Sequence, residues 1–222
     1  MTADRQLVII GAGDHGIVVL DLALATGQRV LGFVDPRPGR QSGQVVANGV
    51  TLVGDLESPS WLRDPEAIAF VVAVGDNAKR AAAFHRSMEL GMQPVSLVHP
   101  SAILLGGVDI GRGVQVCAGV TIGVEAAIFD NSIVNTAATI DHHNRIGPNA
   151  FIGPGANLAG RVTVEEGAWV GIGATVREGS IIGRDSYVAA GAVVIGNVAA
   201  GSRVAGVPAT PMDGPGPSEE DR

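Results

Sequence analysis

The stretch Ile110-Gly111-Arg112-Gly113-Val114-Gln115 decides the fold, because its pattern recurs through 98–199, for example as Ile152-Gly153-Pro154-Gly155-Ala156-Asn157. Every sixth residue from Val98 to Val194 is Val, Ile or Leu, which makes 17 consecutive blocks without an insertion. The fifth position of a block is nearly always small or Val, and Gly recurs at the second and fourth positions. A period of six matches neither an α-helix nor the simple alternation of a flat strand. It predicts a short strand followed by a tight corner, repeated many times.

Three such blocks close one triangular coil, with the first and fifth side chains of each block pointing inward. Each short strand pairs with the coils above and below it at a spacing of about 4.8 Å. The 17 blocks therefore predict an all-β domain over residues 98–211, a parallel β-helix of between five and six coils. Residues three blocks apart then stack in one column along this domain, which is called here the column rule.

Residues 1–97 carry a different pattern. An apolar run at 7–10 ends at Gly11, a helical segment follows to Gly27, and further strands are predicted at 30–34, 68–74 and 95–98. A second helix is expected to begin near Asp76 or Asn77. The alternation of strand and helix predicts a small parallel α/β domain of the Rossmann-like type. Residues 212–222, rich in Pro, Gly and charge, predict a disordered tail.

Composition limits the partners and the compartment. The net charge of −7 provides no basic surface for nucleic acid or for an anionic membrane. The single cysteine, Cys117, excludes an intramolecular disulfide, and no apolar run is long enough to span a bilayer. With no signal peptide before the first strand, a cytoplasmic protein is expected.

The loop after the first strand has the spacing of a nucleotide-binding turn. Gly11, Gly13 and Gly16 match the dinucleotide fingerprint, and an acid, Asp35, follows about one crossover later. Such a loop lets the backbone approach phosphates at a helix N-terminus. The domain is too short for the second mononucleotide half that NAD requires, so a nucleotide or a nucleotide-linked sugar fits better. A tight turn without a ligand is the alternative, and His15 is either a phosphate donor or an exposed side chain without a role.

Several motifs in a fixed order resemble one family. Gly-Ala-Gly-x-His-Gly is followed by Gly-Phe-Val-Asp, Val-Gly-Asp-Asn-Ala-Lys-Arg, His-Pro-Ser-Ala and the hexapeptide repeat. Together they resemble the PglD- and NeuD-type sugar acetyltransferases over residues 7–211. The resemblance implies a left-handed β-helix that binds acetyl-CoA, and a first domain that binds a nucleotide-linked amino sugar, for N-acetylation without a metal.

The resemblance also implies the acceptor site in the first domain. The candidates are Gly11, Gly13, His15, Gly16, Asp35, Asn77 and Arg80. Arg80 has a second interpretation, as a solvated helix residue.

The polar corner Asp141-His142-His143-Asn144 is the candidate catalytic centre. Acyl transfer from a thioester needs a base that titrates near neutral pH, for which histidine is suited. In the family, the histidine of an Ile-acid-His stretch is that base, which here is His142. Relatives often carry an acid directly after it, but this chain has His143 there, so Asp141 is favoured over His143 as the orienting group. Two surface histidines without a role are the alternative.

Two further residues bear on this corner. Asn144 occupies an inward fifth position, where its amide must find buried partners; it either braces the corner or has a plain structural role. Phe151 stands where PglD-type relatives carry another histidine near the acceptor, which leaves the acceptor preference open.

The column rule places the thioester. Gly160 lies three blocks after His142, where its bare backbone N–H faces the developing oxyanion. A second column holds Ile172, Ala190 and Pro208. Family relatives use such positions for the pantetheine arm. The small residues that leave room for this arm are Gly173, Ala189 and Gly191.

Other functions and the assembly complete the expectations. A carbonic anhydrase of this fold needs three zinc-binding histidines, and the repeat offers only His99 beside His142 and His143. A sialic acid O-acetyltransferase and a non-catalytic nucleotide-binding scaffold remain as alternatives. A homotrimer is expected, because the flat sides of the β-helix need covering and a base at a corner needs a second wall.

Overall fold

The computed structural model describes residues 5–35 and 41–212. Apart from Met212, the tail predicted at 212–222 lies outside the described residues. The chain divides into two compact units, Met1–Leu97 and Val98–Arg222, with the boundary at the residue where the six-residue period begins. Within the described part of the chain, no helix is both long and apolar enough to cross a membrane.

The amino-terminal unit is a six-stranded sheet with two helices. Its elements are β1 (Gln6–Ile10), α1 (Asp14–Ala25), β2 (Val30–Val34), β3 (Val45–Ala47), β4 (Val50–Gly54), a 3₁₀ turn (Pro65–Ala67), β5 (Ile68–Val72), α2 (Asn77–Glu89) and β6 (Gln93–Pro94). The strand order is β3-β4-β2-β1-β5-β6, and every pair is parallel except the β3–β4 hairpin. The Rossmann-like prediction is confirmed for this unit.

Local chemistry explains these elements. The central strands β1 and β5 are buried on both faces, as expected for apolar runs in a parallel sheet. Helix α2 begins where the Asp76 carboxylate accepts a hydrogen bond from Lys79 N at 2.9 Å, which makes Asp76 the N-cap. The Asn48-Gly49 turn, with φ of 49° and 77°, forms the β3–β4 hairpin, which the sequence analysis did not predict.

The second unit is a parallel β-helix of very short strands. They are β7 (Leu97–Val98), β8 (Ile103–Leu104), β9 (Asp109–Ile110), β10 (Gln115–Val116), β11 (Thr121–Ile122), β12 (Ala127–Ile128), β13 (Ile133–Val134), β14 (Thr139–Ile140), β15 (Arg145–Ile146), β16 (Phe151–Ile152), β17 (Asn157–Leu158), β18 (Thr163–Val164), β19 (Trp169–Val170), β20 (Thr175–Val176), β21 (Ile181–Ile182), β22 (Tyr187–Val188), β23 (Val193–Val194), β24 (Arg203–Ala205) and β25 (Thr210–Pro211). Of the strand predicted at 95–98, only Leu97–Val98 is a strand; it is β7 and belongs to the β-helix, whereas β6 of the first unit lies earlier, at Gln93–Pro94.

These strands form three sheets, called here side 1, side 2 and side 3. Side 1 contains β7, β10, β13, β16, β19, β22, β24 and β25; side 2 contains β8, β11, β14, β17, β20 and β23; side 3 contains β9, β12, β15, β18 and β21. Partners such as Thr121 and Thr139 occupy the same position of blocks that lie three apart, so the predicted column rule is confirmed.

The core of the β-helix is a continuous stack of inward side chains from all three sides. First-position aliphatics such as Ile122 and Ile140 and fifth-position residues such as Ala126 and Ala138 are at most 1% exposed. Small residues at the fifth position are required because three walls converge on a narrow interior. The prediction that the first and fifth positions point inward is confirmed.

Glycine serves two different purposes in the repeat. Every sixth residue from Gly107 to Gly191 has φ between 53° and 73°, so the fourth position is left-handed in every block except the first and the last, including at His143. At the second position, a left-handed φ does not explain why glycine is required. There a Cβ built on Gly123 would lie 2.5 Å from the backbone N of His142, so glycine is needed because the next coil passes so close.

The last coil is shorter than the others. Tyr187 pairs with Arg203 and Val188 with Val204, which is two positions short of three full blocks, and β24 then pairs antiparallel with β25. Ile182 likewise pairs with Val198, so the column rule fails for the residues after Val194. The prediction that Pro208 continues the column of Ile172 and Ala190 was wrong, because Val188 pairs with Val204, two residues before the position that the column rule requires.

Candidate active site

The candidate active site is built around the corner between β14 on side 2 and β15 on side 3. Asp141 follows β14, and its Oδ1 accepts a hydrogen bond from the backbone N–H of His142 at 2.7 Å. His143 then takes the left-handed backbone, with φ of 59°. These two features turn the chain sharply. The side chains of both histidines therefore project from one corner.

The His142 imidazole contacts His143. The two Nδ1 atoms are 3.0 Å apart, and the rings meet edge to face with centroids 5.2 Å apart. His143 Nε2 in turn lies 3.0 Å from Glu125 Oε2 on the preceding coil. The contact expected between Asp141 and the imidazole is not present, because the Asp141 oxygen is taken up by the corner backbone.

Asn144 holds the corner from inside. Its side chain is fully buried, and Nδ2 donates to the carbonyls of Asp141 at 2.8 Å and Ala159 at 3.0 Å. Because these two carbonyls belong to successive coils, Asn144 ties the corner to the next coil. Of the two interpretations in the sequence analysis, the structure favours the brace. No described residue provides a hydrogen bond to Asn144 Oδ1.

Gly160 lies directly against the His142 ring. A Cβ built on Gly160 would stand 2.5 Å from both Cε1 and Nε2 of His142, so a side chain at this position would displace the imidazole. No described group accepts a hydrogen bond from the Gly160 backbone N–H. The geometry therefore brings together a histidine and an unused backbone donor, the two kinds of group that can serve acyl transfer from a thioester.

A groove runs along the outer face of side 2 beside this corner. It has a volume of about 360 Å³. Its floor is a ladder of polar residues in one column, Thr121, Thr139, Asn157 and Thr175, and its edge toward the corner includes Asp141. An extended polar ligand could lie along this ladder, with one end at the His142 corner.

The second predicted column borders side 2 at its other corner. Ile172 is 57% exposed, and Gly191 N donates to Ile172 O at 2.8 Å, which confirms that consecutive coils stack there. A Cβ built on Gly173 or Gly191 meets nothing within 4 Å, so open space adjoins both. Ala189 is half-buried, whereas Ala190 and Pro208 are exposed.

In the amino-terminal unit, the predicted loop is closed by Asp35. The Asp35 carboxylate is 4% exposed and accepts a hydrogen bond from Ala12 N at 2.8 Å, across the ends of β1 and β2. A Cβ on Gly11 would lie 2.6 Å from the carbonyl oxygen of Ala73, and one on Gly16 would lie 2.3 Å from that of Gly11. Gly11 and Gly16 are thus required by packing. Gly13 is the N-cap of α1, and His15 is half-buried in its first turn.

Arg80 and Asn77 brace the loop before α2. Arg80 is fully buried, and its guanidinium donates to the carbonyls of Val74 and Gly75 and to Asn77 Oδ1, the last at 2.7 Å. Burial lowers the pKa of Arg80 to about 9, and Asp76 opposes this shift. The interpretation of Arg80 as a solvated helix residue was wrong, because its donors are needed by backbone carbonyls inside the fold.

Phe151 lies on a different face from the corner. It belongs to side 1, is 8% exposed and stacks on Trp169 with centroids 3.8 Å apart. Tyr187 continues this stack, at 6.4 Å from Trp169. Within one chain, therefore, the structure does not bring Phe151 and His142 together.

The sequence analysis missed Glu125. A usable signal was present, since Glu125 is an acid three blocks before His143 and the column rule places it against that histidine.

Cys117 is buried, and burial raises the pKa of its thiol to about 11, so it is a poor nucleophile at neutral pH. Among residues 5–35 and 41–212, no cluster of three His, Cys, Asp or Glu side chains could hold a metal ion.

Both units match known protein families. Residues 6–87 match the family described as the PglD N-terminal domain, and residues 161–196 match the bacterial transferase hexapeptide, six repeats. The structure of PerB from Caulobacter crescentus, in complex with CoA and GDP-perosamine, is 37% identical. It covers 94% of this chain and 97% of its own length with a TM-score of 0.87.

Two other solved structures extend the comparison. The acetyltransferase domain of PglB from Neisseria gonorrhoeae, in complex with acetyl coenzyme A, is 36% identical, with a TM-score of 0.85 and coverage of 94% of this chain and 99% of that one. WeeI from Acinetobacter baumannii is 24% identical over 94% of this chain and all of its own, with a TM-score of 0.84, and shares the fold.

The fold and these matches show that the protein is a hexapeptide-repeat acyltransferase, an enzyme that takes an acetyl group from acetyl-CoA. The amino-terminal unit narrows this class. The chain belongs to the family of PglD-like sugar acetyltransferases.

Proposed function

We propose that the enzyme N-acetylates a nucleotide-linked 4-amino-deoxy sugar, with GDP or UDP as the nucleotide. The observation that carries the proposal is the 37% identity, over 94% of the chain, to a protein crystallised with CoA and GDP-perosamine. The amino-terminal unit binds the nucleotide part of the acceptor through the loop from Gly11 to Gly16. The backbone of this loop lies at the N-terminus of α1, a position that favours binding of phosphate oxygens.

In the proposed mechanism, His142 is the general base. His142 Nε2 takes a proton from the acceptor amine as the amine nitrogen attacks the acetyl carbonyl carbon. The carbonyl oxygen becomes an oxyanion that accepts a hydrogen bond from the Gly160 N–H. The oxyanion then re-forms the carbonyl as the carbon–sulfur bond breaks, and the proton held on His142 passes to the sulfur, which releases CoA as its thiol. No acetyl-enzyme forms, because Cys117 is buried and protonated.

The proposal assigns acetyl-CoA to the groove on side 2. The thioester lies at the His142 corner, and the pantetheine arm follows the column of Ile172, Gly173, Ala189, Ala190 and Gly191. Open space at Gly173 and Gly191 supports this assignment. Because the groove is open on one side in a single chain, we also propose a homotrimer in which a neighbouring subunit supplies the second wall. A single reduced cysteine and acidic composition favour the cytoplasm.

One acceptor screen tests the function. The full chain is incubated with acetyl-CoA and GDP-perosamine, a UDP-4-amino-deoxy sugar or free sialic acid, and thiol release and product mass are measured. We expect one of the nucleotide-linked amino sugars to gain a single acetyl group on nitrogen. Acetylation of sialic acid alone would establish the O-acetyltransferase, and acetyl-CoA binding without thiol release would indicate a non-catalytic scaffold.

A further inference from the structure

We propose that Glu125 is a positioning residue for acyl transfer, and that it acts on His142 through His143. The inference rests on the proposed role of His142 as the base. Three side chains form a continuous chain of contacts: Glu125 Oε2 lies 3.0 Å from His143 Nε2, and His143 Nδ1 lies 3.0 Å from His142 Nδ1. Both distances are hydrogen-bond lengths, so a proton lies in each contact.

The chemistry of these groups determines where the protons are. An ionised carboxylate only accepts hydrogen bonds, so His143 Nε2 must be the donor to Glu125. A neutral His143 then has a lone pair on Nδ1, which accepts a hydrogen bond from His142 Nδ1–H. His142 is left with its lone pair on Nε2, the atom that lies against Gly160. Glu125 therefore selects the tautomer in which His142 can act as a base at the thioester.

The same arrangement stabilises the protonated base. When Nε2 takes the amine proton, the Nδ1–H of the imidazolium still donates to His143, and the proton stays on His142 until CoA leaves. No proton needs to reach Glu125. The negative charge two contacts away favours the imidazolium, as in other oriented histidine bases.

Neighbouring charged groups do not replace Glu125. The Asp141 carboxylate is bonded to the corner backbone. On the next coil Arg161 shares the column of His143, and its backbone N donates to His142 O at 2.9 Å. Glu178 lies two coils beyond His142 in the same column and is exposed. Of these groups, only Glu125 is an acid in contact with a nitrogen of the histidine pair.

Exposure distinguishes this role from a structural one. His143 is 44% exposed and Glu125 is 63% exposed, so their hydrogen bond contributes little to the stability of the fold. Removing Glu125 should therefore leave the melting temperature almost unchanged. The effect should appear in kcat and in the tautomer of His142.

The first test is Glu125→Gln in the full chain. A glutamine can donate as well as accept, so it no longer selects one tautomer of His143, and kcat should fall by about 3- to 30-fold while KM for acetyl-CoA stays within about twofold. The matched control is Glu166→Gln, which removes an exposed ion pair with Arg184 at another corner and should leave kcat unchanged.

A second variant makes the test independent of the size of this loss. His143→Asp places a carboxylate next to His142, and aspartate tolerates the left-handed backbone at this position. In that background Glu125→Gln should cause no further loss of kcat. Equal losses in both backgrounds would contradict the proposed role of Glu125, as would a Glu125→Gln enzyme with wild-type kcat.

Nitrogen-15 NMR of the imidazole rings provides a readout that does not depend on turnover. We expect His142 in the wild-type chain to carry its proton on Nδ1, and expect a mixture of tautomers in Glu125→Gln. An unchanged tautomer would refute the proposal even if His143→Asp is inactive. If His142→Ala keeps its activity, the proposed base is wrong. If His142→Ala is inactive but Glu125→Gln is unaffected, only the positioning role of Glu125 is refuted.

Discussion

His142 differs from an ordinary surface histidine in what surrounds its two nitrogens. Nδ1 contacts another imidazole, and Nε2 lies against a residue that has no side chain. One nitrogen is thus held while the other stays open to a ligand. An isolated histidine on a corner would have neither property.

Replacing His142 with alanine should lower kcat by roughly 10² to 10⁴, which is the usual contribution of a positioned general base. KM for acetyl-CoA should change little, because the imidazole acts on the acceptor proton. Steady-state kinetics with thiol detection measures both constants. His85→Ala, an exposed histidine of α2, is the matched control and should behave as wild type.

Cys117 should be dispensable for turnover. Burial raises the pKa of its thiol to about 11, so below that pH the thiol stays protonated and is neither a nucleophile nor an alkylation target. Cys117→Ala should keep kcat within about twofold, and iodoacetamide near neutral pH should not inactivate the wild-type enzyme. An acetylated Cys117 in the mass spectrum of the enzyme after mixing with acetyl-CoA would contradict direct transfer.

At the scale of the elements, the corner between β14 and β15 depends on its neighbouring coils. Gly123 on the preceding coil allows the backbone of Asp141 and His142 to pass at close range, and Gly160 on the following coil makes room for the imidazole. Asn144 fastens the corner to that following coil. The position of the base is therefore set by three successive coils.

Gly160→Ala tests this dependence. Its methyl group would stand 2.5 Å from His142 Cε1 and Nε2, so the ring must turn away from the thioester position. We expect kcat to fall by about 10- to 100-fold with little change in melting temperature, since a misplaced catalytic group is costly for rate. Gly196→Ala is the matched control, because a Cβ there meets nothing within 4 Å. A Gly160→Ala enzyme as active as Gly196→Ala would show that the ring position is not critical.

In the whole molecule, the two units have different sequence periodicities and different roles in the proposed reaction. A compact α/β unit supplies glycine backbone for a nucleotide, and a stack of coils supplies a groove along side 2. The repeat makes this groove long and straight, as an extended thioester ligand requires. A single coil could not provide it.

The proposed trimer can be tested at this scale. Light scattering after size exclusion should give about three times the 22.5 kDa chain mass at micromolar concentration. The activity should fall on dilution in parallel with any dissociation, because a base at an exposed corner needs a second wall to exclude water. A fully active monomer would contradict the proposed site.

The sequence by itself determined the two units, the coil and most of the candidate residues. A strict period of six with inward aliphatics predicts three blocks per coil, so the columns of every third block followed and placed Gly160 against His142. The glycine loop likewise indicated the first strand, its helix and the acid Asp35. In each case a local steric rule acts on neighbouring residues or on a fixed repeat.

Only the tertiary structure decided which side chains meet. The Asp141 carboxylate could accept a hydrogen bond from either the imidazole or the corner backbone. At this corner, where His143 is left-handed, Asp141 Oδ1 accepts from the backbone N–H of His142. Arg80 has the polar character of a surface residue, yet the Val74 and Gly75 carbonyls bind its guanidinium inside the fold. Pro208 left its predicted column because the last coil is shorter than the others. The first two outcomes depend on side-chain rotamers and on competition among hydrogen-bond partners, and the third depends on the path of the backbone in the last coil; a one-dimensional pattern contains neither.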